Sequence, residues 1–136
     1  MNENIKISKD AIYATGKRKE SIARVWILKG DGKITINGKK YNEYFKRPVH
    51  QLIVTRPLEI SQVSTNYDVK CSVKGGGLSG QAGAIILGIS KALILHDDNL
   101  KKNLKKDKLT TRDSRVVERK KYGHRKARRS FQFSKR

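Results

Sequence analysis

The sequence predicts an α/β protein in which one small folded domain is followed by a long, extended basic tail. Short segments rich in β-forming residues alternate with turn signals in the first half of the chain. A mostly apolar segment of helical length follows a run of glycines in the second half. The positive charge is concentrated at the C-terminus, and a chain of 136 residues has room for one domain of ordinary size.

The charge distribution divides the chain into three parts. Residues 112–136 hold eleven Lys and Arg against two acidic residues, a net charge of +9 out of +20 for the whole chain. We predict an N-terminal extension at residues 1–11, a globular α/β body at residues 12–109 and an extended basic C-terminal tail at residues 110–136. The tail has no periodic apolar face that would offset the entropy lost on ordering, so it is expected to be extended when free.

The first predicted elements are strands. The segment AIYATGKRKESIARVWILKGDGKITINGKKY is typical of strands joined by tight turns, and residues 22–28 are rich in β-forming residues. The Gly-Asp-Gly sequence at residues 30–32 predicts a hairpin with the strand that follows it, and Asn37-Gly38 predicts a second turn. Residues 42–55 have helical character. That helix is expected to end before Pro57, because the residue preceding a proline is disfavoured in the α conformation.

The second half of the body is predicted to contain one strand and two helices. The segment YDVKCSVK (Tyr67–Lys74) alternates and predicts a strand. The segment GGGLSGQAGAIILGISKALILHDD predicts a flexible turn and then a helix to about Leu95. This helix is apolar over most of its circumference, so we expect it to be sandwiched between the sheet and another element. Residues 97–106 predict an exposed helix with Leu100 and Leu104 facing inward.

The net charge indicates a polyanionic partner, because concentrated self-repulsion destabilises a free globule. No apolar run approaches the roughly 20 residues of a membrane-spanning helix, and the most basic stretch lacks the apolar stripe of an interfacial helix. Nucleic acid is therefore favoured over a membrane. The first twelve residues include Glu3 and Asp10 and show no secretory or transit signal. Together with the single cysteine, Cys71, this predicts a reducing compartment inside a cell or organelle.

Two basic segments are candidate phosphate-binding sites. The first is the cluster Lys17, Arg18 and Lys19, followed by Arg24, at a predicted strand-to-strand turn; its alternative is an ordinary solvated surface. The second is the terminal segment KKYGHRKARRSFQFSKR, which has eight basic residues among seventeen and no acidic residue. Its aromatic side chains, suited to stacking on unpaired bases, are Tyr122, Phe131 and Phe133. The alternative for this segment is a disordered solubility tail or a localisation signal.

The loop GGGLSGQAGA leads into a predicted helix N-terminus, where backbone N–H groups favour an anion. Small-molecule kinases of the galactokinase and homoserine kinase kind use a similar loop for a nucleotide. A kinase would also need a larger chain, a second lobe and acidic groups for magnesium, and the sequence has no Walker lysine pattern. The alternative is that the glycines permit a strand-to-helix turn and close packing.

The histidines and the cysteine predict no chemistry. His50, His96 and His124 lack the spacing of a zinc site and are expected at the surface or facing RNA. Cys71 is expected to be a small buried apolar group on its strand. We therefore predict no catalytic residue, no metal and no cofactor.

Five strings carry a resemblance to a known family: YATGKRKESIARV, GKITINGK, GGGLSGQAGAI, LTTRDSRVVERKKYG and KARRSFQFSKR. From about Ile12 to Arg136, the chain resembles the ninth protein of the small ribosomal subunit in its bacterial or organellar form. The resemblance implies a body of the ribosomal S-five second-domain type, similar to those kinases in fold but without enzymatic activity. It also implies a ribosomal location in the bacterial cytoplasm, the mitochondrial matrix or the plastid stroma.

The resemblance further implies the partners: small-subunit rRNA, P-site tRNA and neighbouring head proteins, with no membrane. The protein would bind the 3′ major (head) domain of the rRNA, and its tail would reach the anticodon stem-loop of the tRNA. Ser134, Lys135 and Arg136 match the family's terminal trio at the tRNA. The tail residues that match the family's rRNA-bound stem are Arg112, Arg115, Arg119, Lys120, Lys121, Arg125, Lys126, Arg128 and Arg129.

Two other functions are compatible with the residues. One is a free-standing RNA-binding or RNA-chaperone protein, and the other is a phosphate-binding small-molecule kinase-like domain. The long helix is not predicted to bind RNA, because Ile86 stands where members of the family often have a basic residue.

Overall fold

The computed structural model describes residues 11–61, 67–107, 109–112, 115, 119–123, 125–126 and 128. In this part of the chain, a five-stranded sheet packs against helices, which confirms the predicted α/β class. The strands are β1 (Ile12–Arg18), β2 (Ser21–Lys29), β3 (Ile34–Ile36), β4 (Lys39–Lys40) and β5 (Tyr67–Lys74). The helices are α1 (Tyr41–Tyr44), α2 (Pro48–Ile60), α3 (Leu78–His96) and α4 (Lys101–Lys106), and a 3-10 helix (Asp98–Leu100) precedes α4.

The strands are ordered β1-β2-β5-β3-β4 across the sheet. Strand β2 is antiparallel to both β1 and β5, whereas β3 runs parallel to β5. The predicted turn at Asn37-Gly38 is confirmed: it joins β3 to β4, and both residues have positive φ angles, 50° and 82°. The turn between β1 and β2 contains Lys19, whose φ of 53° is also left-handed.

The predicted hairpin at residues 30–32 is wrong, because β5 lies between β2 and β3. The cause is Asp68, near the start of β5. Its carboxylate Oδ1 accepts hydrogen bonds from the backbone N–H groups of Asp31, Gly32 and Lys33, at 3.0, 3.1 and 3.0 Å. The loop therefore wraps around a carboxylate from a distant part of the chain. It carries the chain from the end of β2 past β5 to the start of β3.

Replacing Asp68 by Ala should lower the free energy of unfolding by about 1 to 3 kcal/mol at neutral pH, because three N–H groups lose their acceptor. The backbone hydrogen bond from Lys33 is the largest cause lowering the pKa of Asp68, and those from Gly32 and Asp31 add to it, while burial opposes them. Since the folded pKa lies below the unfolded one, this stability is present above the unfolded pKa. It is lost as pH falls through the folded pKa.

Urea unfolding of the wild type and Asp68→Ala across the acid range would measure this effect, with Glu59→Ala as the control at an exposed position of α2. The difference in the free energy of unfolding between the wild type and Asp68→Ala should become smaller as the carboxyl group becomes protonated. An equal loss of stability in Glu59→Ala would contradict the stabilising role of the Asp68 carboxylate. So would a stability difference between the wild type and Asp68→Ala that does not change with pH.

The single helix predicted at residues 42–55 is two helices in the structure, and the second continues through Pro57. Helix α2 begins at Pro48, where a proline loses no hydrogen bond. Pro57 is buried inside the same helix, next to the buried Val54 and Leu58. Burial of this apolar face offsets the hydrogen bond that the proline removes, so the expected end before Pro57 is wrong.

Helix α3 lies between the sheet and α2, as its apolar circumference predicts. Its residues Ile85, Ile89 and Leu93 are fully buried in the core. Contrary to our expectation about apolar runs, α3 is long and apolar enough to cross a membrane by length and composition alone. More than half of it is buried inside the body, as in the core helix of a domain.

Strand β1 and helix α3 approach each other most closely at Gly16 and Gly88. A Cβ atom added to Gly16 would lie 1.9 Å from the carbonyl oxygen of Ala84 and 2.4 Å from the backbone nitrogen of Gly88. A Cβ added to Gly88 would lie 2.5 Å from Cγ2 of Val25. The strand and the helix therefore meet backbone to backbone, and both positions require glycine.

The last helical segment forms where it was predicted, with its first turn as the 3-10 helix. Leu104 is fully buried and Leu100 packs against the core, which confirms the inward pair. The N–H of Leu109 donates to the carbonyl of Leu104 at 3.1 Å. Cys71 is buried as expected, and its burial raises the pKa of the thiol to about 12.

Candidate nucleic-acid interface

The side chains of the basic cluster at the β1–β2 turn point in two directions. Lys17 and Lys19 are exposed. Arg18 is half-buried against α3: its Nη1 donates to the carbonyl of Ser79 at 3.5 Å, and a Cβ added to Gly83 would lie 2.1 Å from its Cδ. The two ammonium groups are therefore directed to solvent, while the guanidinium between them is held against the helix.

The prediction that Arg24 lies at this turn with Lys17, Arg18 and Lys19 is wrong. Arg24 sits in the middle of β2, on the face of the sheet away from α3. Its guanidinium carbon lies 5.1 Å from the ring centroid of Trp26 and 5.8 Å from that of Tyr13. Arg24 thus belongs to a separate, partly aromatic surface.

The glycine loop before α3 is folded onto the start of β2. Gly75 and Gly76 have positive φ angles of 77° and 63°. Ser21 Oγ donates to the carbonyl of Gly75 at 2.9 Å, and a Cβ added to Gly76 would lie 2.2 Å from the same Oγ. A Cβ added to Gly80 would lie 2.9 Å from it. These contacts favour the packing interpretation of the glycines.

The tail begins beside the β1–β2 turn. Segments from the turn, from α3 and from the chain after α4 line one surface cavity of about 160 Å³. Its lining residues are Lys17, Arg18, Gly83, Ile86, Leu87, Leu109, Thr111 and Arg115. The fold therefore brings two predicted basic sites, far apart in sequence, together at one place. Ile86 supplies part of the apolar wall.

The later tail residues that the structure describes are exposed, and none of them belongs to a helix or strand. The predicted rRNA-binding residues among them are Arg112, Arg119, Lys120, Lys121, Tyr122, Arg125, Lys126 and Arg128. The ring of Tyr122 is fully exposed. The predicted residues that lie outside the described part are Arg129, Phe131, Phe133, Ser134, Lys135 and Arg136.

The histidine predictions have mixed outcomes. His50 is buried, which contradicts the expected surface position. Its ring packs edge-on against Phe45, with centroids 5.6 Å apart, and its Nε2 lies 3.2 Å from Ser79 Oγ. His96 is exposed and packs against Tyr67, while His124 lies outside the described residues. Among the described residues, no group of three or more His, Cys, Asp or Glu side chains is placed to hold a metal ion.

Sequence reasoning missed a second surface, which we call the open face: the side of the sheet opposite α3. Alternation along β1, β2 and β5 puts the following residues there: Tyr13, Thr15, Lys17, Ile22, Arg24, Trp26, Leu28, Asp68, Lys70, Ser72 and Lys74. The period of two in each strand was visible in the sequence. Which residues become neighbours depends on the strand order and register, and these were not visible.

A sequence profile of the family described as ribosomal protein S9/S16 matches residues 16–136. The match includes the β1–β2 turn, the glycine loop, every element after β1 and the whole tail. The match spans most of the chain and includes the sequence segments that line the cavity at the tail root. The chain therefore belongs to the ribosomal protein S9/S16 family, and it is a structural, rRNA-binding protein of the small ribosomal subunit.

Proposed function

We propose that this protein holds the 3′ major (head) domain of the small-subunit rRNA with its body and most of its tail, and contacts P-site tRNA with residues 134–136. The observation that carries the proposal is the shared cavity at the tail root. There, Lys17 of the β1–β2 turn and Arg115 of the tail line the same surface. A basic surface on the body thus continues into a basic tail, as a protein following an RNA backbone requires.

The chemistry of the tail suits rRNA of irregular structure. Exposed Lys and Arg side chains neutralise phosphates without reading sequence. The exposed ring of Tyr122 follows Lys120 and Lys121, so that a base could stack on the ring while the ammonium groups contact its flanking phosphates. This combination favours unpaired or splayed RNA over a regular duplex, whose base faces are covered.

The proposal for tRNA rests on the family resemblance and on the residue types at the chain end. Arg136 has a forked guanidinium, Lys135 a flexible point charge and Ser134 a hydroxyl group. These groups suit a sugar-phosphate backbone and discriminate poorly among bases. A site visited by every tRNA requires this kind of sequence-neutral contact.

The proposals for neighbouring proteins and for the compartment also rest on the family resemblance. Neighbouring head proteins would contact the body where rRNA does not. We propose that the ribosome concerned is that of a bacterium, a mitochondrion or a plastid.

Deleting residues 134–136 tests both parts of the proposal. We expect the variant to remain at one copy per small subunit after a high-salt wash, because the other rRNA contacts are intact. Its subunits should bind P-site tRNA more weakly, with a larger effect at low salt. Loss of two phosphate contacts should lower the slope of log affinity against log salt by about 1.4 to 1.8.

The charge-only variant Lys135→Gln with Arg136→Gln keeps the chain length and should reproduce most of this effect. A matched control, Lys101→Gln with Lys102→Gln, removes two exposed charges from α4 and should leave tRNA binding unchanged. Failure of subunit assembly in the deletion variant, or unchanged tRNA affinity at low salt, would show that the proposed division between rRNA and tRNA contacts is wrong.

A further inference from the structure

The centre of the open face is a preformed stack of side chains. The rings of Tyr13 and Trp26 are 5.3 Å apart between centroids and inclined at 43°. Trp26 is 7% exposed and lies beneath the surface, while Tyr13 is 44% exposed. Arg24 is exposed and has its guanidinium over both rings. A planar cation is thus held at the surface over two aromatic rings.

A hydrogen bond holds the edge of this stack. The hydroxyl of Thr15 donates to the phenolic oxygen of Tyr13 at 2.8 Å. This bond, followed by the bond to Arg24, lowers the pKa of Tyr13. Two neighbours therefore restrict the tyrosine ring, which reduces the entropy that a ligand stacking on it would otherwise have to overcome.

Lysines surround the stack in the register of the sheet. Lys17 and Lys74 are the cross-strand neighbours of Ile22, and Lys70 is the cross-strand neighbour of Trp26. Directly opposed residues on one face have Cβ atoms about 5 Å apart, so these ammonium groups are within reach of one ligand. Among the strand residues that the structure describes, Asp68 is the only acid, and three backbone N–H groups already bind its carboxylate.

We propose that the open face binds an unpaired segment of RNA. One base stacks on Arg24 and Tyr13, and the flanking phosphates contact Lys17, Lys70 and Lys74. The inference rests on the proposed rRNA binding and adds a second RNA contact, on the sheet, which shares Lys17 with the tail root. The positive charge of the face matches a phosphate chain, and an exposed planar stack matches the face of a base.

Two other partners fit this face less well. A duplex presents its phosphates but covers the faces of its bases, so the stack would go unused. A protein would have to desolvate Arg24 and the lysines, and the large exposed apolar groups of the face are only Tyr13 and Ile22 among the described residues. Unpaired RNA uses both the charges and the stack.

The chain contains one tryptophan, Trp26, so its fluorescence reports on the open face. Full-length protein should be titrated with a single-stranded RNA of about 12 nucleotides, a length within the range of single-strand binding surfaces. We expect a saturable change in Trp26 fluorescence. The same strand annealed to its complement, at equal salt, should give little change, because its bases are not available for stacking.

The variants test which groups carry the binding. Arg24→Ala should weaken binding of the single strand by about tenfold, within the range for loss of a stacked partner. Arg24→Lys keeps the charge without the planar group and should recover only part of the affinity. Lys91→Ala removes an exposed cation from α3, on the other side of the sheet, and should change affinity less than about twofold. Thermal unfolding of each variant would establish that it is folded.

Several results would overturn the inference. If the wild type binds the single strand but Trp26 fluorescence does not change, or if Arg24→Ala and Lys91→Ala lose equal affinity, RNA does not bind the open face. A fluorescence change produced only by another small-subunit protein would assign the face to a protein partner. If the wild type binds no RNA, the proposed rRNA contacts fail as well, which separates that failure from the failure of the open face alone.

Discussion

Ending the chain after Thr111 should lower the slope of log affinity against log salt by roughly 4 to 5 for binding to small-subunit rRNA. The removed residues include eleven Lys and Arg. If half of them contact phosphates, each contact contributes about 0.7 to 0.9 to the slope through counterion release. Between about 50 and 200 mM salt, the full-length protein should therefore lose roughly 250 to 1,000 times more affinity than the truncated one.

Filter binding over a salt series would measure both slopes. A matched control changes four exposed lysines of α4, Lys101, Lys102, Lys105 and Lys106, to Gln, which removes charge from the body and leaves the tail intact. The slope of this control should stay close to that of the wild type. An unchanged slope after truncation, or an equal fall per charge in the α4 variant, would show that the tail makes no specific phosphate contacts.

Replacing Gly16 by Ala should destabilise the body by about 3 kcal/mol or more, the largest effect that we expect from a single substitution. The added methyl group would lie 1.9 Å from the carbonyl oxygen of Ala84 and 2.4 Å from the backbone nitrogen of Gly88. Backbone atoms inside a core helix cannot rotate away as a side chain can. Strand β1 would have to separate from α3 and lose apolar contacts on both sides.

Gly77→Ala is the matched control, because a Cβ at Gly77 would meet nothing within 4 Å. Gly77 is the N-cap of α3, so its replacement should cost about 1 kcal/mol or less. Urea or thermal unfolding of the two variants would give the comparison. Similar losses at the two positions would mean that the contact between Gly16 and α3 is looser than the structure indicates.

Local signals in the sequence predicted most elements. The glycine after Asn37, the alternation of YDVKCSVK and the apolar run after the glycine loop each depend on residues a few positions apart. The errors have distant causes. The expected hairpin at residues 30–32 fails because Asp68, from a later strand, supplies the acceptor for that loop. The helix passes through Pro57 because tertiary burial outweighs a local preference.

The candidate site divides in the same way. Charge runs are visible in one dimension, so the turn cluster and the tail could be found from the sequence. The sequence could not predict that the turn cluster and the start of the tail line the same cavity, because this depends on the path of the chain after α4. The stack of Tyr13, Arg24 and Trp26 requires the register of β1 against β2. His50 reads as a surface residue until Phe45 and Ser79 are placed around it.

The position of β5 in the middle of the sheet sets the order in which the chain can fold. Strands β1 and β2 can form a hairpin early, but they gain their central neighbour only when pairs such as Val25 and Cys71 come together. Such pairing closes a long loop and is slow compared with local contacts. The β1–β2 pair and the β3–β4 pair therefore join into one sheet only after β5, which comes later in the chain, has been added between them. All five strands and the helix α3 precede the basic tail in the chain, so the sheet can be completed without any residue of the tail.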